Sequence, residues 1–120
     1  STNQDEEVID ATTTKVEDPL IEKIVELVKA NLQNPEFNVK SLADMLFMSQ
    51  PTLYRKVKQI TGFTIIELVR GVRLKEAAEL LKTKQYGIQE VSEMVGYNDV
   101  PTFRKHFVAL YGTTPSTFAG

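Results

Sequence analysis

Two stretches of the sequence place basic side chains at helical spacing after a residue that can cap a helix. Arg55 follows Ser49 in the first stretch, and Arg104 and Lys105 follow Asp99 in the second. Guanidinium and ammonium groups donate several hydrogen bonds and accept none, so their partners are acceptor oxygens and nitrogens such as those of phosphates and base edges. These residues therefore indicate recognition by hydrogen bonding and charge rather than bond-making chemistry.

Residue types that support catalysis or metal binding are scarce. The chain has no cysteine and a single histidine, His106, which excludes disulfides, zinc–thiolate sites and a cysteine nucleophile and argues against a histidine-rich metal site. Two carboxylate pairs, Glu76 with Glu79 and Glu90 with Glu93, have the spacing of a solvated helix surface, and no nucleophile or phosphate-binding loop accompanies them. We therefore predict that the chain is not an enzyme and needs no cofactor or metal.

The pattern around the basic side chains occurs twice. Residues 49–57 align with residues 99–107 at a constant offset, with cap on cap, Pro-Thr on Pro-Thr and apolar on apolar positions. The match extends upstream, where residues 39–46 align with 88–95 and leave the second unit with a turn one residue longer. Each unit reads as a short helix, a turn and a longer capped helix, which is the outline of a helix-turn-helix.

Helical periodicity dominates the chain after residue 18. Apolar residues recur at helical spacing from Leu20 to Leu32, and Thr64 can cap a long helix. No segment alternates with a period of two over a useful length. The sequence therefore predicts an all-α fold of about seven helices, in which two helix-turn-helix subdomains at 39–62 and 88–112 are joined by a long linker helix at 64–82.

Charge is segregated along the chain, although the net charge is only −2. Residues 1–17 hold five acids and one base, so we expect a flexible polar and acidic linker, the junction to a preceding domain, ahead of a domain at 18–120. Within residues 49–75 there is one acid, Glu67, and the bases are Arg55, Lys56, Lys58, Arg70, Arg73 and Lys75. Such a segment suits phosphate binding, although charge alone fits a solvated helix face equally well.

The faces opposite the apolar stripes supply the candidate DNA contacts. Arg55 is the candidate reader of guanine, Lys58 is placed for phosphate, and Arg104 and Lys105 are the matching candidates of the second unit. The further candidates, for base edges, thymine methyls, sugar or phosphate, are Gln50, Pro51, Thr52, Tyr54, Val100, Pro101 and Thr102. Helix N-termini with free N–H groups, at Ser41, Ser49 and around Asn98, are candidates for backbone phosphates. The alternative is a helical protein–protein interaction module without DNA binding.

These residues resemble the AraC/XylS family of bacterial regulators over about residues 18–118. The resemblance rests on Ser49, Leu53, Arg55, Val57 and Thr61-Gly62 in the first unit, on Arg73-Leu74, Ala77 and Leu80-Leu81 in the linker helix, and on Val95-Gly96-Tyr97-Asn98-Asp99, Phe103, Phe107, Tyr111-Gly112, Pro115 and Phe118 in the second unit. The sequence departs from the family at Ile65, where proline is common, at Leu68, where an aromatic is common, and at Val108 and Ala109, where bases are common.

The resemblance implies a DNA-binding domain of a bacterial transcription regulator, with double-stranded DNA and RNA polymerase as partners. Residues 34–39 and the polar N-terminal stretch also resemble output domains of hybrid two-component sensors, which are membrane proteins that often control carbohydrate-utilisation genes; a one-component regulator with a ligand-binding domain is the competing interpretation. No apolar run reaches the roughly 20 residues that span a bilayer, so we expect no membrane contact by this part. We expect this part to be monomeric and cytoplasmic, within a full-length protein that is dimeric and anchored through a sensor region.

Overall fold

The computed structural model describes residues 18–120, and this part of the chain is all-helical. The linker helix α4 is the longest element, and the other helices are arranged in two groups on either side of its midpoint. The helices are α1 (Pro19–Ala30), α2 (Val39–Met45), α3 (Gln50–Thr61), α4 (Ile65–Lys82), α5 (Ile88–Met94), α6 (Val100–Tyr111) and α7 (Pro115–Ala119). The predicted all-α fold with two helix-turn-helix subdomains and a long linker helix is confirmed. The linker predicted for residues 1–17 lies outside the described residues.

Local sequence explains where the two recognition helices α3 and α6 begin and end. The side chain of Ser49 accepts from the amide of Thr52, and that of Asp99 accepts from the amide of Thr102. In both helices the proline near the N-terminus lacks only an N–H that has no intrahelical partner. Both helices end at a glycine with positive φ, Gly62 at 81° and Gly112 at 75°, a backbone conformation that side chains disfavour.

Two hydrophobic cores share the linker helix. The first core packs α1, α2 and α3 against the part of α4 that ends at Val72, and the second packs α5, α6 and α7 against the part that starts at Leu74. Leu32, in the loop after α1, packs against both cores. The single helix therefore fixes one subdomain relative to the other, and Arg73 lies at the boundary between the cores.

The second core is built largely of aromatic rings. Phe103 and Phe107 are completely buried with ring centres 5.8 Å apart, and Tyr111 and Phe118 pack on Phe107 at 4.6 Å and 5.3 Å. Tilted and edge-on aromatic pairs at such separations add to the stabilisation that burial itself gives. The recognition helix α6 is thereby held rigidly by its inner face.

The turn of the first unit differs from its counterpart. Met45, which the repeat aligns with the apolar side of the short helix, is 46% exposed, and Phe47 is 95% exposed with φ of 56°. At the matching position of the second unit stands Gly96, with φ of 92°. The turn geometry is thus repeated, but in the first unit a bulky side chain occupies a conformation that suits glycine.

Candidate nucleic-acid interface

The outer face of α3 carries most of the side chains predicted for the first unit. Leu53 and Val57 are completely buried on the inner face. The exposed residues on the other side are Gln50, Pro51, Tyr54, Arg55 and Lys58, whereas Thr52 is half-buried with its hydroxyl bonded to that of Ser49. The ammonium group of Lys58 donates to the carbonyl of Gly62 at 2.8 Å, which leaves two of its three N–H groups for another partner.

The outer face of α6 repeats this arrangement. Phe103 and Phe107 take the places of Leu53 and Val57 in the core. The predicted contacts Pro101, Thr102, Arg104 and Lys105 are exposed, and Val100 is half-buried. Each recognition helix therefore presents basic side chains to solvent and is anchored by apolar ones behind.

The predicted backbone contacts at helix N-termini require one correction. The amide of Ser41 is not free, because it donates to the side chain of Asn38 at 3.0 Å, and the Ser41 hydroxyl joins the same capping box. Asn98 is exposed directly before the cap Asp99. The Thr102 amide and hydroxyl that bond to Asp99 hold the pKa of this carboxyl below its usual value, so the cap stays charged at neutral pH.

Arg73 is the second correction, because the sequence grouped it with bases suited to phosphate. Its side chain is only 7% exposed, and its guanidinium donates to four backbone carbonyls. Nη1 lies 2.6 Å from the oxygens of Leu32 and Val95, and Nη2 lies 3.2 Å and 3.4 Å from those of Asn34 and Phe37. Burial lowers the pKa of Arg73 below its usual value. The residue ties the loop after α1 to the end of α5 and is not available to DNA.

A groove of about 570 Å³ lies between the two subdomains. Gln50 at the start of α3 and His106 in the middle of α6 both line it, so the two recognition helices meet the same groove. Lys40 and Arg70 line it as well, and the sequence pattern identifies neither as a site residue. The basic segment of the sequence contains Arg70, but only the packing of α4 shows that this side chain faces the groove.

His106 lies on the inner edge of α6, where the phenol oxygen of Tyr97 is 2.9 Å from its Nδ1 atom. Burial lowers the pKa of His106, and the positive charges of Arg70 and Lys105 lower it further. Burial also raises the pKa of Tyr97 to about 12. At neutral pH the imidazole is therefore neutral, and its hydrogen bond with the phenol fixes the loop before α6 to that helix.

Residues 18–120 lack the features of two other kinds of site. No helix there combines the length and the apolar character needed to cross a bilayer. In the same range no three histidine or acidic side chains come together as a set of metal ligands.

The sequence matches two helix-turn-helix families. Residues 42–120 match a helix-turn-helix domain, and residues 15–63 match the Mga helix-turn-helix domain. The chain is 34% identical to histidine kinase P4 of Formosa agariphila over 107 residues, which are 89% of this chain and 8% of the kinase. It is 35% identical to the transcriptional regulatory protein YesN of Bacillus subtilis over 102 residues, which are 82% of this chain and 28% of YesN. The chain thus spans a small part of either relative.

Solved structures share the fold. The C-terminal domain of AraT, a response regulator from Geobacillus stearothermophilus, superposes with a TM-score of 0.78 at 27% identity, covering 85% of this chain and 84% of that domain. The DNA-binding domain of AdpA, a global transcriptional factor solved in complex with a target DNA, gives 0.76 at 28% identity over 85% of this chain and 90% of AdpA's. The duplicated units, the shared linker helix and these matches together show that the chain belongs to the AraC/XylS family of helix-turn-helix proteins.

Proposed function

We propose that residues 18–120 are the sequence-specific DNA-binding domain of a bacterial transcription regulator. In this proposal α3 and α6 enter two successive major-groove segments on one face of a duplex, about 34 Å apart. The described part of the chain measures 40 × 37 × 20 Å, so it is a flat body long enough to reach both segments.

One observation carries the proposal: both recognition helices expose basic side chains and both line the groove between the subdomains. Arg55, Arg104 and Lys105 are exposed while the residues behind them are fully buried. The shared groove places the start of α3 and the middle of α6 on two walls of one concavity. If the outer faces of the two helices served only to contact solvent, nothing would require both helices to expose basic side chains and to line the same groove.

The contacts follow from position on each helix. Arg55, in the second turn of α3, reads a base edge by donating two hydrogen bonds, as guanine O6 and N7 accept. Arg104 and Lys105 have the equivalent role in the second unit, while Lys58, near the end of α3, contacts a phosphate. The contacts to phosphate set the affinity, and the contacts to bases set the sequence preference.

The experiment is selection of bound sequences from random duplexes, followed by titration of the selected duplex and a scrambled one at two salt concentrations. Enrichment of one motif, with an affinity that falls as salt rises, supports the proposal. If no motif is enriched and the affinity for duplexes does not change with salt concentration, the alternative of a protein–protein interaction module is supported instead.

The role of the whole protein extends the proposal. The matched stretch of histidine kinase P4 and the response-regulator neighbour AraT support an output domain of a hybrid two-component regulator. Such a protein would control carbohydrate-utilisation genes together with RNA polymerase, with this domain in the cytoplasm and a sensor region anchored in the membrane. Transcript profiling of a strain that lacks the gene, grown on single carbohydrates, tests that role; transcripts that do not change on any carbohydrate would contradict it.

A further inference from the structure

The groove between the subdomains is lined, among residues 18–120, by basic side chains and by no acidic ones. Four of its lining residues, Lys40, Arg70, Arg73 and His106, have basic side chains, and no carboxylate lines it. Arg73 is already bonded to backbone carbonyls and His106 to Tyr97. The basic side chains whose N–H groups can turn to an incoming group are therefore Arg70 and Lys40.

Arg70 is the more available of these two side chains. It is exposed on α4, and within residues 18–120 it takes part in no ion pair. The nearest acid along its helix, Glu67, accepts from the amide of Thr64 at 2.9 Å in the capping box of α4. Lys40 pairs with Asp44 at 3.1 Å, but both side chains are exposed, so a phosphate can replace that partner at small cost.

The position of the groove decides what it can receive. Gln50 and His106 line it from the two recognition helices. When two helices enter major-groove segments one turn apart on one face, the sugar-phosphate backbones and the minor groove between those segments face the protein at its centre. Apolar lining from Ile66 and Val69 suits the sugar carbons, and the two basic side chains suit the phosphates.

We propose that this groove receives the phosphodiester backbone of the duplex between the two major-groove segments, with Arg70 and Lys40 contacting its phosphates. The inference rests on the proposed function. These contacts add affinity without sequence preference, because every sequence presents the same phosphates.

The test compares Arg70→Gln with Lys82→Gln in the whole chain. Lys82 is the last residue of the same helix, about 18 Å from Arg70 at 1.5 Å per residue, and its ammonium lies 3.5 Å from Glu79. Because Arg70 is exposed, its substitution leaves the helix content unchanged by circular dichroism. We expect Arg70→Gln to weaken binding of the selected and the scrambled duplex alike, by about tenfold at low salt, and to reduce the salt slope by about one. Lys82→Gln should leave both unchanged.

A modified duplex locates the contact. Neutral methylphosphonates replace the phosphates between the two major-groove segments, and wild type and Arg70→Gln are titrated against it. We expect the loss caused by Arg70→Gln to disappear on this duplex, because the charge that Arg70 contacts is gone. An Arg70→Gln loss that stays the same on the modified duplex overturns the inference, as does a salt slope equal to that of Lys82→Gln.

The two failures are distinguishable. If the wild-type chain binds the selected duplex with the expected salt dependence and Arg70→Gln does not change the affinity, the phosphate contact in the groove is rejected and the proposed function stands. If the wild-type chain shows no salt-dependent binding to any duplex, both the groove contact and the proposed function are rejected.

Discussion

The guanidinium of Arg73 packs so closely against Gly96 that position 96 has no room for a side chain. A side-chain carbon at Gly96 would overlap the guanidinium of Arg73 and the carbonyl oxygen of Leu32. Gly96 also has φ of 92°, a value that side chains disfavour. Because Arg73 bonds to both Leu32 and Val95, this contact joins the first subdomain to the second.

Gly96→Ala should therefore be strongly destabilising. The positive φ costs about 1–2 kcal/mol for any side chain, and forcing a methyl group into the space of Arg73 adds about 1–3 kcal/mol. Gly62→Ala is the matched control, since Gly62 has φ of 81° but nothing within 4 Å of an added carbon. Urea unfolding should show the larger loss in free energy of unfolding for Gly96→Ala; equal losses would contradict the close fit.

Arg73→Met should destabilise the chain by about 3–5 kcal/mol, because it leaves buried carbonyl groups of two subdomains without their charged donor. The variant should also lose more affinity for a duplex with both major-groove segments than for one with a single segment, since the helices are no longer held at one separation. Lys75→Met, two residues further along α4, is the control. If Arg73→Met reduces the affinities for the two-segment and the one-segment duplex by the same factor, Arg73 does not hold the two recognition helices at a fixed separation.

Phe47→Asn should stabilise the chain by about 1 kcal/mol. Phe47 has φ of 56° and is 95% exposed, so the change relieves an unfavourable conformation and removes almost no buried surface. Asparagine adopts positive φ more readily than other side chains except glycine. A lower midpoint in thermal or urea unfolding would show that the ring makes a contact that matters.

Arg55→Ala and Lys58→Ala should affect DNA binding in different ways. Loss of a base reader costs about 1–3 kcal/mol and relaxes preference at one base pair, whereas loss of a phosphate contact weakens all sequences similarly. Titration against the selected duplex and its single-base variants separates the two. Equal losses on every duplex for Arg55→Ala would remove its role as a reader.

Acidification should destabilise the chain through His106, the single histidine. Its pKa in the fold lies below the ordinary 6.5 because of burial and nearby positive charge, so the unfolded state binds the proton more readily. The contribution to stability is present above pH 6.5 and is lost as the pH falls from there through the lowered pKa. Asp99, lowered from 3.8, acts only at more acidic pH. The measurement is the free energy of unfolding as a function of pH, and His106→Gln should reduce its change with pH near and below pH 6.5. A pH dependence that this substitution leaves unchanged would show that His106 is not the group responsible.

Local rules made much of the fold predictable. The ends of the recognition helices depend on residues within four positions of the cap, so the local sequence predicts them. The two helices begin after Ser49 and Asp99 and end at Gly62 and Gly112. The apolar stripes likewise identified Leu53 and Phe103 as core residues. The exposed face of each recognition helix followed from those stripes.

The partners of Arg73 could not be predicted, because they are backbone carbonyls 22 to 41 residues away and carry no side-chain signature. The groove could not be predicted for the same reason, since Lys40 and Arg70 line one groove only when the first core has assembled on α4. The strain at Phe47 did leave a signal: the internal repeat aligns this residue with Gly96.

The proposed function requires α3 and α6 to occupy two neighbouring major-groove segments on the same face of one duplex. Hydroxyl-radical and methylation-interference footprinting of the selected duplex measures this directly. We predict two protected segments whose centres lie about 10–10.5 base pairs apart on one face. A single protected segment, or two segments on opposite faces of the duplex, would contradict the account.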